Sequence, residues 1–337
     1  MSENPIIGFQ VNRNDIFYLG HDLQRPECIL AERDGSLWTA DARGGVVHIR
    51  PDGSQRLIAQ QETAGFSGAV SDEERYTTGT LPNGLAFART GDIVISNFGT
   101  DRLEIMTRSG ETRVLVDRLH GEPIGKVNFV LRDSKDRLWI TVSTRIRNWM
   151  QAISPNVRDG FIALYDKGQL HIVADGFAFT NEIRFDAREE WLYVVETCGR
   201  RITRLRVASD GSLSRRETFG PADHGAFIDG VAFDAFGNLW GTHVFADRIF
   251  AITPEGNLHI LLDDGDVAAN ERLDRAFARD QVTPELLLSC GGTIAPWFAS
   301  VTFGGPDLRT VYVGSLRGTR IPYFRSPIPG APMAHWR

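Results

Sequence analysis

Cysteine is scarce in this chain: Cys28, Cys198 and Cys290 are the three among 337 residues. An odd number without metal-type spacing excludes a disulfide framework and a thiolate zinc site, and it fits a reducing cytoplasm. Cys28 and Cys290 lie in apolar runs and read as core residues. Positive charge is also short, the balance being -6, which argues against a broad nucleic-acid surface. No apolar run approaches the roughly 20 residues that cross a bilayer, so no membrane partner is expected. Met1-Ser-Glu-Asn-Pro-Ile-Ile has no basic segment leading into an apolar core, so a cytoplasmic protein without a secretory signal is the expectation. A Gly-x-Ser-x-Gly elbow, a Walker-type loop and a dinucleotide fingerprint are all missing. Nothing in the sequence specifies an oligomeric state.

What the chain has in quantity is one hairpin, repeated. Ile228-Asp229-Gly230-Val231-Ala232-Phe233 alternates apolar and polar residues, turns at Gly237-Asn238 and enters a second apolar run at Leu239-Trp240. A period of two is that of a half-buried strand, and Gly-Asn between two such runs marks a tight turn. Glu27 to Trp38, Asn83 to Val94, and Asn128 to Trp139 repeat the pattern with the same 11-residue separation as Asp229 to Trp240. Asn181 to Tyr193 is a copy with one residue added, and Ala299 to Tyr312 a copy with two. Six copies of one hairpin make a repeat protein.

Each hairpin leads to a third strand and usually a fourth, for example Ile249 to Ile252 before the turn at Glu255-Gly256. Four antiparallel strands per unit is the blade of a β-propeller, so an all-β, six-bladed β-propeller over residues 1–337 is expected. A sandwich would also use many short strands, but it does not demand six matched hairpins. The sixth unit ends one strand short before a Pro-rich tail, and residues 15–20 should supply its missing edge and close the ring. Three segments fall outside the repeat: a polar loop at 60–80, an excursion at 143–159 inside the third unit, and a longer one at 264–298 with helical spacing from Asn270 to Phe277. Excursions of this length in a compact domain tend to be lids or binding loops. The 143–159 segment should overhang the channel mouth at the Glu27 end.

In a propeller the innermost strand of each blade lines the central channel. Its first position reads Glu27, Asn83, Asn128, Asn181, Asp229 and Ala299 through the six repeats. Taken singly, an Asn or Asp there could cap a strand entry through a turn hydrogen bond. Taken as a ring, two carboxylates pointed into a narrow channel would repel each other at high desolvation cost. A hard cation resolves this, and a set of carboxylate and amide oxygens suits Ca²⁺, Mg²⁺ or Mn²⁺. His243, ending the second strand of blade five, and His224, five residues before Asp229, are further candidates for the mouth.

These residues carry a resemblance. From about residue 15 to 325 the chain resembles the family of senescence marker protein 30, gluconolactonases and related lactonases. The carrying motifs are Glu27 entering blade one, Thr180-Asn181 entering blade four, Ile228-Asp229-Gly230 entering blade five, and Phe303-Gly304-Gly305-Pro306-Asp307-Leu308 in the last. The resemblance implies a propeller with one divalent metal in its channel, Ca²⁺ first and Mg²⁺, Mn²⁺ or Zn²⁺ as alternatives. Glu27, Asn181 and Asp229 would be its ligands, with Asn128 a fourth or one water removed; Asn83 has no ligand role. Lys126-Val127-Asn128 falls where family members place a basic residue two positions before an Asn that contacts substrate or metal. Two departures stand out: Asn128 is followed by Phe129 where Asn-Asp-Gly is common, and the 143–159 excursion is longer than a simple lactonase needs.

The implied activity is metal-dependent hydrolysis of a small lactone, the cation polarising the carbonyl and lowering the pKa of bound water. Asp229 would be the general base. Lys126 and Asn128 would orient the substrate, and Arg145, Arg147 and Trp149 would form one wall. Two readings stay open beside it: a phosphotriesterase-like hydrolase at the same metal, and a non-catalytic scaffold in which the metal is structural.

Overall fold

The computed structural model describes residues 3–61 and 80–336. Most of the polar loop expected at 60–80 lies outside the described residues. The described strands form six four-stranded antiparallel sheets, each with chain-consecutive strands except the last, and a small two-stranded hairpin of Arg118–Leu119 and Glu122–Pro123. In the sixth the order from the axis outward is Phe298–Gly304, Thr310–Ser315, Ile321–Arg325 and then Phe17–Leu19. The N-terminal strand pairs Phe17 with Tyr323 and Leu19 with Ile321, so blade six is completed from the other end of the chain, as the missing edge required. Each innermost strand packs against that of the next blade, and Ile29–Ala31 against that of blade six, which closes the ring. Among the described residues no helix is long and apolar enough to cross a membrane.

In three of the six hairpins a carboxylate and a tryptophan pin the turn. Asp234 Oδ1 accepts the backbone N–H groups of Phe236, Gly237 and Asn238, which is the hydrogen-bonding of an Asx-type turn. Its Oδ2 accepts the indole N–H of Trp240 at 2.9 Å. Asp133 and Trp139 repeat that bond at 2.9 Å, and Glu32 and Trp38 at 2.6 Å. The indoles fill the core beside and between blades, and a buried Trp needs such an acceptor for its N–H. Blades meet so closely that a Cβ on Gly230 would overlap the backbone oxygen of Ala299, and one on Gly314 that of Glu27.

Both excursions sit at the channel end where the innermost strands begin. The 143–159 segment leaves the second strand of blade three, and Asp159 Oδ2 ties its neck by accepting from Thr144 Oγ1 at 2.9 Å and Arg145 N at 2.8 Å. Trp149 then packs edge-on against Phe98 of blade two and Phe179 of blade four. That places the loop over the mouth at the Glu27 end, as expected. The 264–298 segment forms helix α1 (Val267–Ala278) and helix α2 (Pro284–Leu288), capped by Asp266 and Thr283. Helix α1 covers the stretch with helical spacing and extends it by three residues at its start. At the opposite end, the tail crosses the channel base, where Trp336 donates its indole N–H to Ala31 O at 2.7 Å. His335 stands edge-on to Phe87 there.

Candidate functional site

The ring residues fall where the innermost strands are irregular. Register shifts occur between Pro82 and Leu85, Val127 and Phe129, Thr180 and Ile183, Ile228 and Val231, and Phe298 and Ser300. A bulge re-aims the side chains it carries and frees backbone groups from the ladder. Asn83, Asn128, Asn181, Asp229 and Ala299 occupy these five irregularities. Glu27 precedes its strand in a turn where its N–H bonds to Arg25 O at 2.8 Å.

Glu27, Asn128, Asn181 and Asp229 are 5%, 4%, 4% and 3% exposed. Burial pushes the Asp229 carboxyl well above the usual carboxylate range; the charges of Glu27 and Glu182 raise it further, while Arg25 and the Asn181 amide pull it back. Burial also raises Glu27, against the opposing pull of Arg25 and Asn83. The two acids therefore sense each other across the channel, which is the repulsion anticipated from the sequence.

The amides are turned so that their oxygens are left over. Asn181 Nδ2 donates to Thr197 Oγ1 at 3.0 Å, and Thr197 Oγ1 donates to Ile228 O at 2.7 Å. Asn128 Oδ1, Asn181 Oδ1 and Asp229 Oδ1 are all buried without a hydrogen-bond donor. Glu27 Oε2 meets the Arg25 guanidinium, Nη1 at 2.5 Å. Three orphaned buried oxygens beside a second carboxylate form a donor set that a hard divalent cation would satisfy. Among the described residues no trio of His, Cys, Asp and Glu forms a metal cluster, so amide oxygens must complete the set.

The other expected site residues are placed differently. Lys126 is buried, its Nζ at 2.9 Å from Asp101 Oδ1 and 3.4 Å from Phe98 O, so its charge stands behind Asn128 as one half of an ion pair. Trp149 reaches the mouth through Phe98 and Phe179. Arg145 turns instead to the third strand of its own blade, its guanidinium 4.5 Å over the Phe161 ring. Arg147 is exposed; burial raises the Asp101 carboxyl, and Lys126 and then Arg147 oppose that rise. His224 and His243 form a pair, Nδ1 to Nε2 at 3.1 Å, against the Phe250 ring.

Two residues at the ring escaped the sequence pattern. Glu182 follows Asn181 directly, and strict alternation would send it away from the channel. The bulge instead lets Glu182 Oε2 accept Val231 N at 3.1 Å from blade five while pairing with Arg184 at 2.9 Å. Burial raises its carboxyl to about 7. Arg25 lies outside any strand, and only its position two residues before Glu27 could have drawn notice. Its Nη1 also donates to Asn83 Oδ1 at 2.8 Å, and Asn83 Nδ2 to Asn128 O at 2.9 Å.

Comparison with known proteins agrees with this fold. The profile of a family described as SMP-30/gluconolactonase/LRE-like region matches residues 26–262. A 6-deoxy-6-sulfogluconolactonase from Pseudomonas putida is 24% identical over 211 residues, spanning 61% of this chain and 60% of that protein. A calcium-binding protein, regucalcin, from Agrobacterium tumefaciens superposes with a TM-score of 0.67 at 15% identity, over 95% of this chain and 98% of the other. A gluconolactonase from Xanthomonas campestris does so with 0.65 at 18% identity, over 94% and 89%.

Proposed function

Because the chain belongs to the SMP-30/gluconolactonase/LRE-like family, we propose that it is a divalent-metal-dependent hydrolase that opens a small lactone. The observation that carries the reading is the set of buried, donorless oxygens of Asn128, Asn181 and Asp229 facing the Glu27 carboxylate. Glu27, Asn181 and Asp229 would hold the cation, with Asn128 a fourth ligand or one water away. Ca²⁺ suits such a mixed carboxylate and amide set best, and the regucalcin whose fold it shares is a calcium-binding protein.

Bound there, the cation supplies Lewis-acid polarisation of the lactone carbonyl. Asp229 would take the proton of the attacking water at the oxygen the cation leaves free, a role in which ligation lowers its basicity. Asn128 fixes the lactone's oxygens through its amide. Lys126 contributes field rather than contact, because Asp101 already engages its Nζ. Trp149, wedged between Phe98 and Phe179, forms an apolar wall and, with the two excursions, keeps bulk water from the ring. The substrate is a small molecule entering from the Glu27 end, since the tail covers the other.

The test is hydrolysis of sugar lactones, simple γ- and δ-lactones and aryl phosphoesters, each with Ca²⁺, Mg²⁺, Mn²⁺ or Zn²⁺ and with a chelator. Lactone turnover lost on chelation and restored by the ion supports the reading. Turnover of the phosphoesters alone would move the substrate class. A chelator that lowers the melting temperature while no compound is ever turned over would leave a structural metal in a scaffold.

A further inference from the structure

Arg25 is an expensive residue to place where it stands. Its backbone adopts φ 56°, the left-handed region that a non-glycine residue enters only at a cost in strain. Its side chain is 10% exposed, so a full positive charge is brought into the channel beside Glu27. Nη1 is shared between Glu27 Oε2 and Asn83 Oδ1, while Nε is buried with no acceptor at all. A buried guanidinium that leaves an N–H unused has a partner missing.

Charge counting says what the partner is. Glu182 is neutralised by Arg184 and Lys126 by Asp101. Glu27 and Asp229 together offset a divalent cation, and Arg25 then leaves the loaded centre with one positive charge in excess. A desolvated site of that sign favours an anion, and the planar guanidinium fork suits an oxyanion. We propose that Arg25 is a specificity-determining residue that selects lactones bearing a negatively charged oxyanionic group, such as a carboxylate or sulfonate, and seats that group beside the cation. Asn83, braced by Asn128 O, positions the guanidinium. This deepens, and rests on, the lactone reading above.

The experiment is titration calorimetry on the full-length Ca²⁺-loaded protein with two ring-opened acids, gluconate with one carboxylate and glucarate with two. Wild type should bind glucarate about 10-fold or more tighter than gluconate, the scale of one charge-assisted hydrogen-bonded contact. Arg25→Gln should bring the two affinities together, and Arg25→Lys should retain part of the gap. Titration of Ca²⁺ alone should show Arg25→Gln binding the ion as tightly as wild type or tighter, since a neighbouring positive charge is gone. A glucarate preference that survives Arg25→Gln, or is absent from wild type, overturns the inference. So does an Arg25→Gln protein that loses Ca²⁺ and both acids in proportion, because Arg25 would then only hold Glu27 in place. Preference for the charged acid without turnover of any lactone would sink the hydrolase reading and leave the selectivity standing. Arg25-independent hydrolysis of neutral lactones would do the reverse.

Discussion

Thr197 decides which way Asn181 faces. Its hydroxyl passes its own hydrogen to Ile228 O at 2.7 Å and so can only accept from Asn181, whose Nδ2 lies 3.0 Å away. The amide oxygen is thereby turned to the axis, where Asp229 and Asn128 also present unsatisfied oxygens. A hydrogen bond behind a ligand typically sets 10- to 100-fold in metal affinity. Thr197→Val, which keeps the shape and removes the hydroxyl, should weaken Ca²⁺ binding by roughly 10-fold or more by calorimetry. An unchanged dissociation constant would remove Asn181 from the ligand set.

Asp229 and Asn83 occupy equivalent strand positions but should behave differently. Asp229→Ala deletes a ligand and the proposed base, so lactone turnover should fall to background and Ca²⁺ affinity should drop with it. Asn83→Ala should leave Ca²⁺ affinity near wild type, because its amide is spent on Arg25 and Asn128 O. Full metal-dependent activity in Asp229→Ala would defeat the site assignment.

The metal-free protein offers a separate test of the same acid. A carboxyl whose folded pKa is raised takes up its proton more readily in the folded state, so it favours folding at low pH and loses that advantage as pH rises through the folded value. Asp229→Asn removes the ionisation. In chelator at neutral pH this variant should therefore melt above wild type, and its stabilisation by added Ca²⁺ should be much the smaller of the two. Thermal scans with and without Ca²⁺ read both.

The histidine pair gives the opposite slope. Burial lowers His224 to about 4 and holds His243 well below its usual range, with His224 the next contributor there. Both stay neutral in the fold while the unfolded chain protonates near 6.5. Their contribution is thus complete above pH 6.5 and is lost as pH falls toward 4, at up to about 1.4 kcal/mol per pH unit for each ring. Urea melts of metal-free protein at pH 7, 6 and 5 should show the fall, and the double variant His224→Gln with His243→Gln should flatten it. Parallel profiles would show that the pair does not titrate on unfolding.

Closure of the ring by Phe17–Leu19 can be tested by its removal. A chain beginning at residue 21 leaves the Ile321–Arg325 strand as an open edge, a template for pairing with another molecule. Such a chain should melt lower by about 5 °C or more and scatter light as aggregates on warming. An unaltered midpoint would show that the edge is covered without it.

Much of this was legible before any coordinates. A fixed spacing from Glu27 to Trp38, Asn83 to Val94, Asn128 to Trp139 and Asp229 to Trp240 encodes one local unit, and strand alternation with turn chemistry is a short-range property that sequence carries directly. Six such units cannot bury their faces singly, so their number implied the ring, and the ring implied which residues meet at its axis. The strand missing after Phe324 was visible for the same reason. What the sequence by itself determined, then, is the blade, the count of blades and the positions that open each innermost strand. What only the tertiary structure decided is aim and partnership: that a bulge turns Glu182 inward beside Asn181, that Lys126 is spent on Asp101 and Arg145 on Phe161, that His224 meets His243, and that a left-handed turn drives Arg25 against Glu27. The reason is physical. Alternation specifies a face only while the ladder is regular, and at the axis every described ladder but that of blade one slips register. There, desolvation makes each buried charge seek a partner from another blade, and that choice is settled by distances that no single blade contains.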